Sequence, residues 1–179
     1  MNPSPAAINF SKLDHFNKLH IKNKNDAQLA DLMQPFFEQA GIPAGVETLT
    51  NIAPVIKDRI ITLGDAVDMC RFLFLDDITQ RIEGLLIKGF DRSQSALIAK
   101  AAVGLCANIQ DWTVDNLDSA FRAYMEQEEL SPRQMFGYLR EAISGQRVTP
   151  PLFNCMLVLG RVTTIKRLEQ ALEILKKDK

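Results

Sequence analysis

Ser131-Pro132-Arg133-Gln134-Met135-Phe136-Gly137-Tyr138-Leu139-Arg140-Glu141-Ala142-Ile143-Ser144-Gly145 reads as one complete helix. Ser131 is an N-cap: its short hydroxyl can accept from a first-turn N–H that has no partner within the helix. Pro132 follows at the first helical position, where its fixed φ suits the helix and its missing N–H costs nothing. Gly145 supplies the stop, because it enters the left-handed conformation without a Cβ penalty. Thr149-Pro150-Pro151 repeats the arrangement and predicts a helix ending at Gly160, with a last helix from about Thr164 whose Ile165, Leu168, Leu172 and Leu175 share a face.

The same grammar recurs outward along the chain. Ser11-Lys12-Leu13-Asp14 is a capping-box pattern, with Phe10 placed as a staple and with Leu13, Phe16 and Leu19 or His20 on one face. Asn25-Asp26 opens a second helix striped by Leu29, Leu32, Met33, Phe36 and Phe37, which Gly41 stops; Pro35 predicts a kink in it. A third helix starts near Val46, and Pro54 should bend or split it. Thr62-Leu63-Gly64-Asp65 is a further capping box leading to Val67, Cys70 and Phe74. Asp76-Asp77 ends the apolar run Phe72–Leu75 and is read as a double acidic N-cap for the next helix. Asp91-Arg92-Ser93-Gln94 and Thr113 with Asp115 open two more. Strand signals are nearly absent. The expectation is an all-α chain of roughly ten helices in two small subdomains, 1–88 and 89–179, parted near Gly84 and Gly89.

Bulk chemistry narrows function without naming it. A net charge of −1 argues against a generic polyanion binder. That total hides an asymmetry: residues 1–24 carry +3, residues 25–130 carry −9, and residues 131–179 carry +5. Basic ends around an acidic middle raise the question of nucleic acid. Cys70, Cys106 and Cys155 are odd in number and widely spaced, which suits buried thiols in a reducing cytoplasm better than a disulfide framework or a CxxC metal site. No apolar run approaches the ~20 residues that span a bilayer, and Met1–Phe10 lacks the basic-then-apolar order of a secretory signal.

Catalytic signatures are missing. His15 and His20 are five apart, off the i, i+4 spacing of a helical zinc pair, and no cysteine or carboxylate motif completes a site. Neither a G-x-G-x-x-G nor a G-x-x-x-x-G-K-[ST] phosphate loop occurs, and there is no G-x-S-x-G elbow. What stands out is the placement of arginines. Arg59 follows a proline-interrupted helix; Arg140 lies near a helix end; Arg147 and Thr149 sit in the joint after Gly145. Each arginine alone reads equally as a solvated side chain or a partner of a helix C-terminal dipole. Arginines in a helical concavity can also meet base edges and phosphates.

Read in order, these segments resemble the C-terminal anticodon-binding region of bacterial-type glutamyl-tRNA synthetases. Asn9-Phe10-Ser11-Lys12-Leu13-Asp14-His15-Phe16-Asn17 looks like the family's F-x-x-x-K-L-x-W-x-N segment, and Lys57-Asp58-Arg59-Ile60-Ile61-Thr62-Leu63 like its R-x-x-T-L element. Leu139–Gly145 is similar to its L-R-x-A-[LI]-[TS]-G, followed by Thr149-Pro150-Pro151-Leu152-Phe153, Leu159-Gly160 and Arg167–Leu172. The resemblance implies a two-part helical cage that holds the anticodon loop of tRNA(Glu), in a monomeric protein. It implies that Arg59 reads the third anticodon base, that Arg140 contacts a base, and that Thr149, Pro150 and Leu152 pack against splayed bases. Lys12, His15 and Arg147 are further expected tRNA contacts.

The chemistry agrees with that assignment for Arg59. Glutamate anticodons end in C and glutamine anticodons in G. Arginine donates to the acceptors on the cytosine Watson–Crick edge, whereas guanine presents donors there. Two departures stand out: His15 replaces the family's tryptophan, and Lys18-Leu19-His20 replaces its G-x-Y. The family's catalytic half, with its His-Ile-Gly-His-like and Lys-Met-Ser-Lys-Ser-like ATP signatures, is absent, so ATP and magnesium are implied only for a missing catalytic partner domain. Met1-Asn2-Pro3-Ser4-Pro5 reads like a mid-chain joint of a larger protein; a free-standing remnant is the other possibility. On residues alone a helical protein-interaction domain stays open, and it predicts a contiguous exposed apolar patch.

Overall fold

The computed structural model describes residues 10–177. Its regular elements are helical, and no strand occurs among the described residues. The helices are α1 (Phe10–Lys22), α2 (Asp26–Gln39), α3 (Val46–Ile56), α4 (Leu63–Cys70), α5 (Ile82–Leu85), α6 (Arg92–Asn108), α7 (Val114–Gln127), α8 (Pro132–Ser144) and α9 (Leu152–Lys176), with a 3-10 turn at Arg71–Phe74. No helix among the described residues is long and apolar enough to cross a membrane.

Local chemistry accounts for most of the starts. Asn25, Thr62, Asp91 and Ser131 each accept from the N–H three residues on, while the side chain at that position reaches back to the cap's own N–H. Thr113 caps α7 from its side chain as expected. Ser11 is already inside α1 and does not cap it; the expected staple from Phe10 falls on a side chain outside the described residues. Pro35 and Pro54 lie within α2 and α3 without ending either, because both sit on exposed faces while Leu29, Met33, Phe37 and Leu49, Ile52, Ile56 keep the buried faces continuous.

The chain divides into two compact units between Arg71 and Phe72. In the first, α2 packs on α3 and α4 around Leu29, Met33, Phe37, Leu49, Ile56 and Ile60. The expected face of α1 is there, yet Leu13, Phe16 and Leu19 are exposed and Ile21 is the helix's buried anchor. In the second, α9 is central and meets α5, α6, α7 and α8. Phe72, Leu85 and Ile87 belong to the core of that second unit, so the division lies well before the 88/89 joint expected from Gly84 and Gly89.

Two further expectations are corrected by long-range bonds. Asp76-Asp77 caps nothing: α5 starts only after Arg81, and both aspartates are exposed. The intervening backbone is tied down from elsewhere. Buried Arg167 donates to the carbonyls of Phe72 and Leu75 at 3.0 and 2.6 Å, and Gln80 Nε2 donates to the carbonyls of Ala142 and Arg167 at 2.6 and 2.7 Å. Thr149 does not cap either. Its hydroxyl donates to the Pro150 carbonyl at 2.8 Å, and Pro151 stands at the cap of α9 without a side-chain bond. The two expected terminal helices form one run broken at Gly160, which takes φ 75° and ψ 164°.

Candidate nucleic-acid interface

Arg59 is presented by a turn that the sequence locks from both sides. Its N–H and that of Ile60 both donate to the Ile56 carbonyl, at 2.7 and 3.2 Å, and Ile60 is fully buried. Just beyond, Asp65 Oδ2 accepts from the N–H groups of Ile61 and Thr62 at 2.8 and 2.9 Å, and Oδ1 accepts from Thr62 Oγ1 at 2.9 Å. Burial alone would push the Asp65 carboxyl up, but these bonds from Thr62 and Ile61 outweigh it and hold it below 3.8. On the near side, Lys22 Nζ lies 2.9 Å from Asp58, and that hydrogen-bonded ammonium holds the Asp58 carboxyl down. The Arg59 side chain is exposed and has no hydrogen-bond or ion-pair partner among the described residues. A fixed backbone with an uncommitted guanidinium is the arrangement a base reader needs.

Lys12 and His15 lie on the exposed part of α1, with the His15 ring edge-on to Phe16 at 6.2 Å between centroids. The last turn of α1 meets the start of α4: His20, Ile21, Leu32, Phe36, Ile61 and Thr62 line a cavity of 370 Å³.

In the second unit the structure brings Arg140 and Arg147 to one cavity of 670 Å³ between the α5 segment and α8. Arg140 is half-buried, and its Nη1 donates to its own helix at the Phe136 carbonyl, 3.2 Å away. Arg147 is exposed. Lys88, Arg133, Glu83 and Glu141 also line this cavity, none of them singled out from sequence. Thr149 and Leu152, at 5% exposure each, and buried Pro150 turn into the unit and do not line it.

An ion pair between the buried Glu141 carboxylate and the exposed Arg81 guanidinium stiffens the wall beside Arg140. Glu141 is 1% exposed; its Oε1 accepts from Arg81 N–H and Nε, both at 3.1 Å, and its Oε2 from Arg81 Nη2 at 3.3 Å. Arg81 Nη2 also donates to the Gly145 carbonyl at 3.2 Å. Two glycines make this possible. A Cβ on Gly84 would lie 2.3 Å from the Glu141 carboxyl carbon, and one on Gly145 would lie 2.2 Å from the Thr79 carbonyl oxygen. Glu141 is legible in sequence only as one more charge on α8; its partner is sixty residues away.

Other chemistry is limited. No group of His, Cys, Asp and Glu able to hold a metal occurs among the described residues. The three thiols are buried, and burial pushes Cys106 up to about 12, away from thiolate chemistry.

The arrangement matches a known class. Residues 28–172 fit the family model described as an anticodon binding domain, and the chain belongs to that family. Its curated relatives are named glutamate–tRNA ligase: that of Roseiflexus castenholzii is 36% identical over 98% of this chain, and that of Chloroflexus aurantiacus 34% over 98%. The chain spans about a third of the length of these relatives, 36% and 37% respectively. A solved glutamate tRNA ligase from Elizabethkingia meningosepticum superposes with a TM-score of 0.79 at 16% identity, covering 91% of this chain and 32% of that one; the likeness there is one of fold. The resemblance drawn from Arg59, Leu139–Gly145 and the segments around them therefore holds.

Proposed function

We propose that the chain is the anticodon-recognition module of a glutamate–tRNA ligase and grips the anticodon loop of tRNA(Glu). In this reading it works in the cytoplasm beside a catalytic domain that uses ATP and magnesium to attach glutamate, in a monomeric enzyme. The module supplies recognition and no cofactor. The match of residues 28–172 to the anticodon binding domain carries the reading. The locked turn that presents an uncommitted Arg59 supports its base-reading part.

Arg59 discriminates by hydrogen-bond polarity. Its donors pair with the acceptors of a third-position cytosine and oppose the donors of guanine. A mismatch of that kind costs about 1–3 kcal/mol, a roughly 5- to 150-fold difference in affinity. Arg140 and Arg147 act in the second unit on another part of the loop, Thr149, Pro150 and Leu152 shape the joint, and Lys12 and His15 contact the backbone.

The test is anisotropy titration of labelled anticodon stem-loops ending in C or G, at several salt concentrations. Salt-dependent binding with a preference for C, abolished by Arg59→Gln, is expected. An Arg59→Gln protein that keeps the full preference refutes the assignment of Arg59. Absence of wild-type binding to either stem-loop refutes the RNA reading itself.

A further inference from the structure

Lys57-Asp58-Arg59 puts three consecutive charges on one turn, and two of them are already paired. Lys57 Nζ donates to Asp26 Oδ1 at 2.7 Å, and Lys22 Nζ lies 2.9 Å from Asp58 Oδ1. Lys22 is the last residue of α1 and Asp26 the first of α2, so the joint between these helices supplies one charge of each sign to the turn. Asp65, the next carboxylate along the chain, is engaged by the N–H groups of Ile61 and Thr62. Of the three charges, Arg59 is the one whose donors are unused among the described residues.

The pair of Lys22 with Asp58 does little to brace the turn. Its side chains are 59% and 67% exposed, and exposed pairs contribute little to stability. Bonds from the N–H groups of Arg59 and Ile60 to the Ile56 carbonyl already fix the backbone there. What the pair changes is charge. Lys22, by its hydrogen bond and its charge, and then Lys18 and Lys57 by charge hold the Asp58 carboxyl below 3.8, so it is ionised throughout the neutral range. An ionised carboxylate one residue from a guanidinium is a strong competing acceptor. Charge-assisted bonds of that kind are roughly twice as strong as bonds to neutral acceptors, such as those on the cytosine edge. The same carboxylate, left unmatched, repels the phosphates on either side of a base.

We infer that Lys22 is a positioning residue for Arg59: by occupying the Asp58 carboxylate it keeps that acceptor off the Arg59 guanidinium, which stays free for the third anticodon base. The inference rests on the RNA-binding reading above. It gives the end of α1 a part in specificity without any contact to RNA.

The experiment is a double-variant cycle on the full chain, with the C- and G-ending anticodon stem-loops at about 50 mM salt. Lys22→Gln leaves Asp58 unmatched, and the preference for C over G should fall about two- to fivefold, the scale of one exposed ion pair that RNA must now break. Lys22→Gln/Asp58→Asn removes the competitor as well and should restore the wild-type preference, although the chain has lost a lysine. Asp58→Asn alone should not lower it, and Lys22→Arg, which keeps the pair, should retain it. Without RNA, the Arg59 Nε–H resonance should shift in Lys22→Gln and return in the double variant. An unmoved resonance, or a Lys22→Gln protein with the wild-type preference, overturns the inference while leaving the RNA reading in place. So does a loss that adding Asp58→Asn fails to reverse, which marks Lys22 as a phosphate contact. A loss that Asp58→Asn alone reproduces marks the pair as a brace and overturns it too. A wild-type chain that ignores both stem-loops overturns both readings.

Discussion

Adding a single methyl group at Gly145 should destabilise the second unit by about 3–5 kcal/mol, and the structure says where each part arises. Gly145 ends α8 at φ 67° and ψ 15°, with its N–H on the Glu141 carbonyl at 2.9 Å. A side chain in that left-handed conformation costs roughly 1–2 kcal/mol. The larger part is a collision: the new Cβ would lie 2.2 Å from the Thr79 carbonyl oxygen, a backbone atom that no rotamer change can move. Relief needs a displacement on the order of 1 Å. Thr79 precedes Gln80 and Arg81, whose bonds to Ala142, Arg167, Glu141 and Gly145 fix the segment. Losing two or three of them adds about 2–3 kcal/mol. Against the ~5–15 kcal/mol that holds a typical domain, this is a large fraction. Trp112, the chain's single tryptophan, reports on this unit, with its indole N–H on the Met156 carbonyl at 3.1 Å and the Arg161 guanidinium 5.4 Å from its ring centre. Urea unfolding followed by Trp112 fluorescence should show the midpoint falling by about 2 M at an unchanged slope. Gly145→Asn separates the two causes, since asparagine tolerates the left-handed conformation but carries the same Cβ. A Gly145→Asn protein within about 1 kcal/mol of wild type would refute the collision with Thr79.

Arg167→Lys should cost roughly 2–3 kcal/mol in the same assay, because an ammonium cannot span the carbonyls of Ile143, Phe72 and Leu75 that the guanidinium reaches at 2.6, 3.0 and 2.6 Å; equal stability would show that these bonds do not brace the unit. The Asp65 carboxyl is held below 3.8, so the stability it lends to the Arg59 turn is present above that value and lost as pH falls through its lowered folded value. The amide proton shifts of Ile61 and Thr62 should titrate together with a midpoint below 3.8, and a midpoint at or above 3.8 would contradict this.

Helix starts are legible in this chain because caps are local: Asn25, Thr62, Asp91, Thr113 and Ser131 act on residues within one turn of themselves. The prolines mislead for the opposite reason. Whether Pro35 or Pro54 ends a helix depends on which face the rest of the unit buries, and the covered faces of α2 and α3 run past both. Asp76-Asp77 misleads because the path of residues 72–81 is imposed by Arg167 and Gln80, through bonds that span 62 to 95 positions. The early start of the second unit has the same origin, since Phe72, Leu85 and Ile87 find their apolar partners on helices that come later in the chain.

The charge pattern is where sequence and structure correct each other most. The +5 of residues 131–179 suggests an open basic surface, but its arginines serve different ends. Arg167 is 1% exposed and braces three carbonyls. Arg161 is committed to the carbonyls of Ile109 and Gln110 at the end of α6, and to the face of Trp112. What reaches the cavity is Arg133, Arg140 and Arg147, joined there by Lys88 from the segment counted as acidic. Arg59 likewise belongs to the segment counted as acidic, yet Lys22, Lys18 and Lys57 gather around its neighbour Asp58, which Lys22 already pairs. Diffuse attraction to any polyanion scales with summed charge, which here is close to zero. On the proposed anticodon-binding reading, recognition at these positions depends instead on a few guanidinium and ammonium groups whose backbones are fixed by caps, a buried carboxylate and two glycines. That reading favours one RNA loop that fits the arrangement over RNA in general.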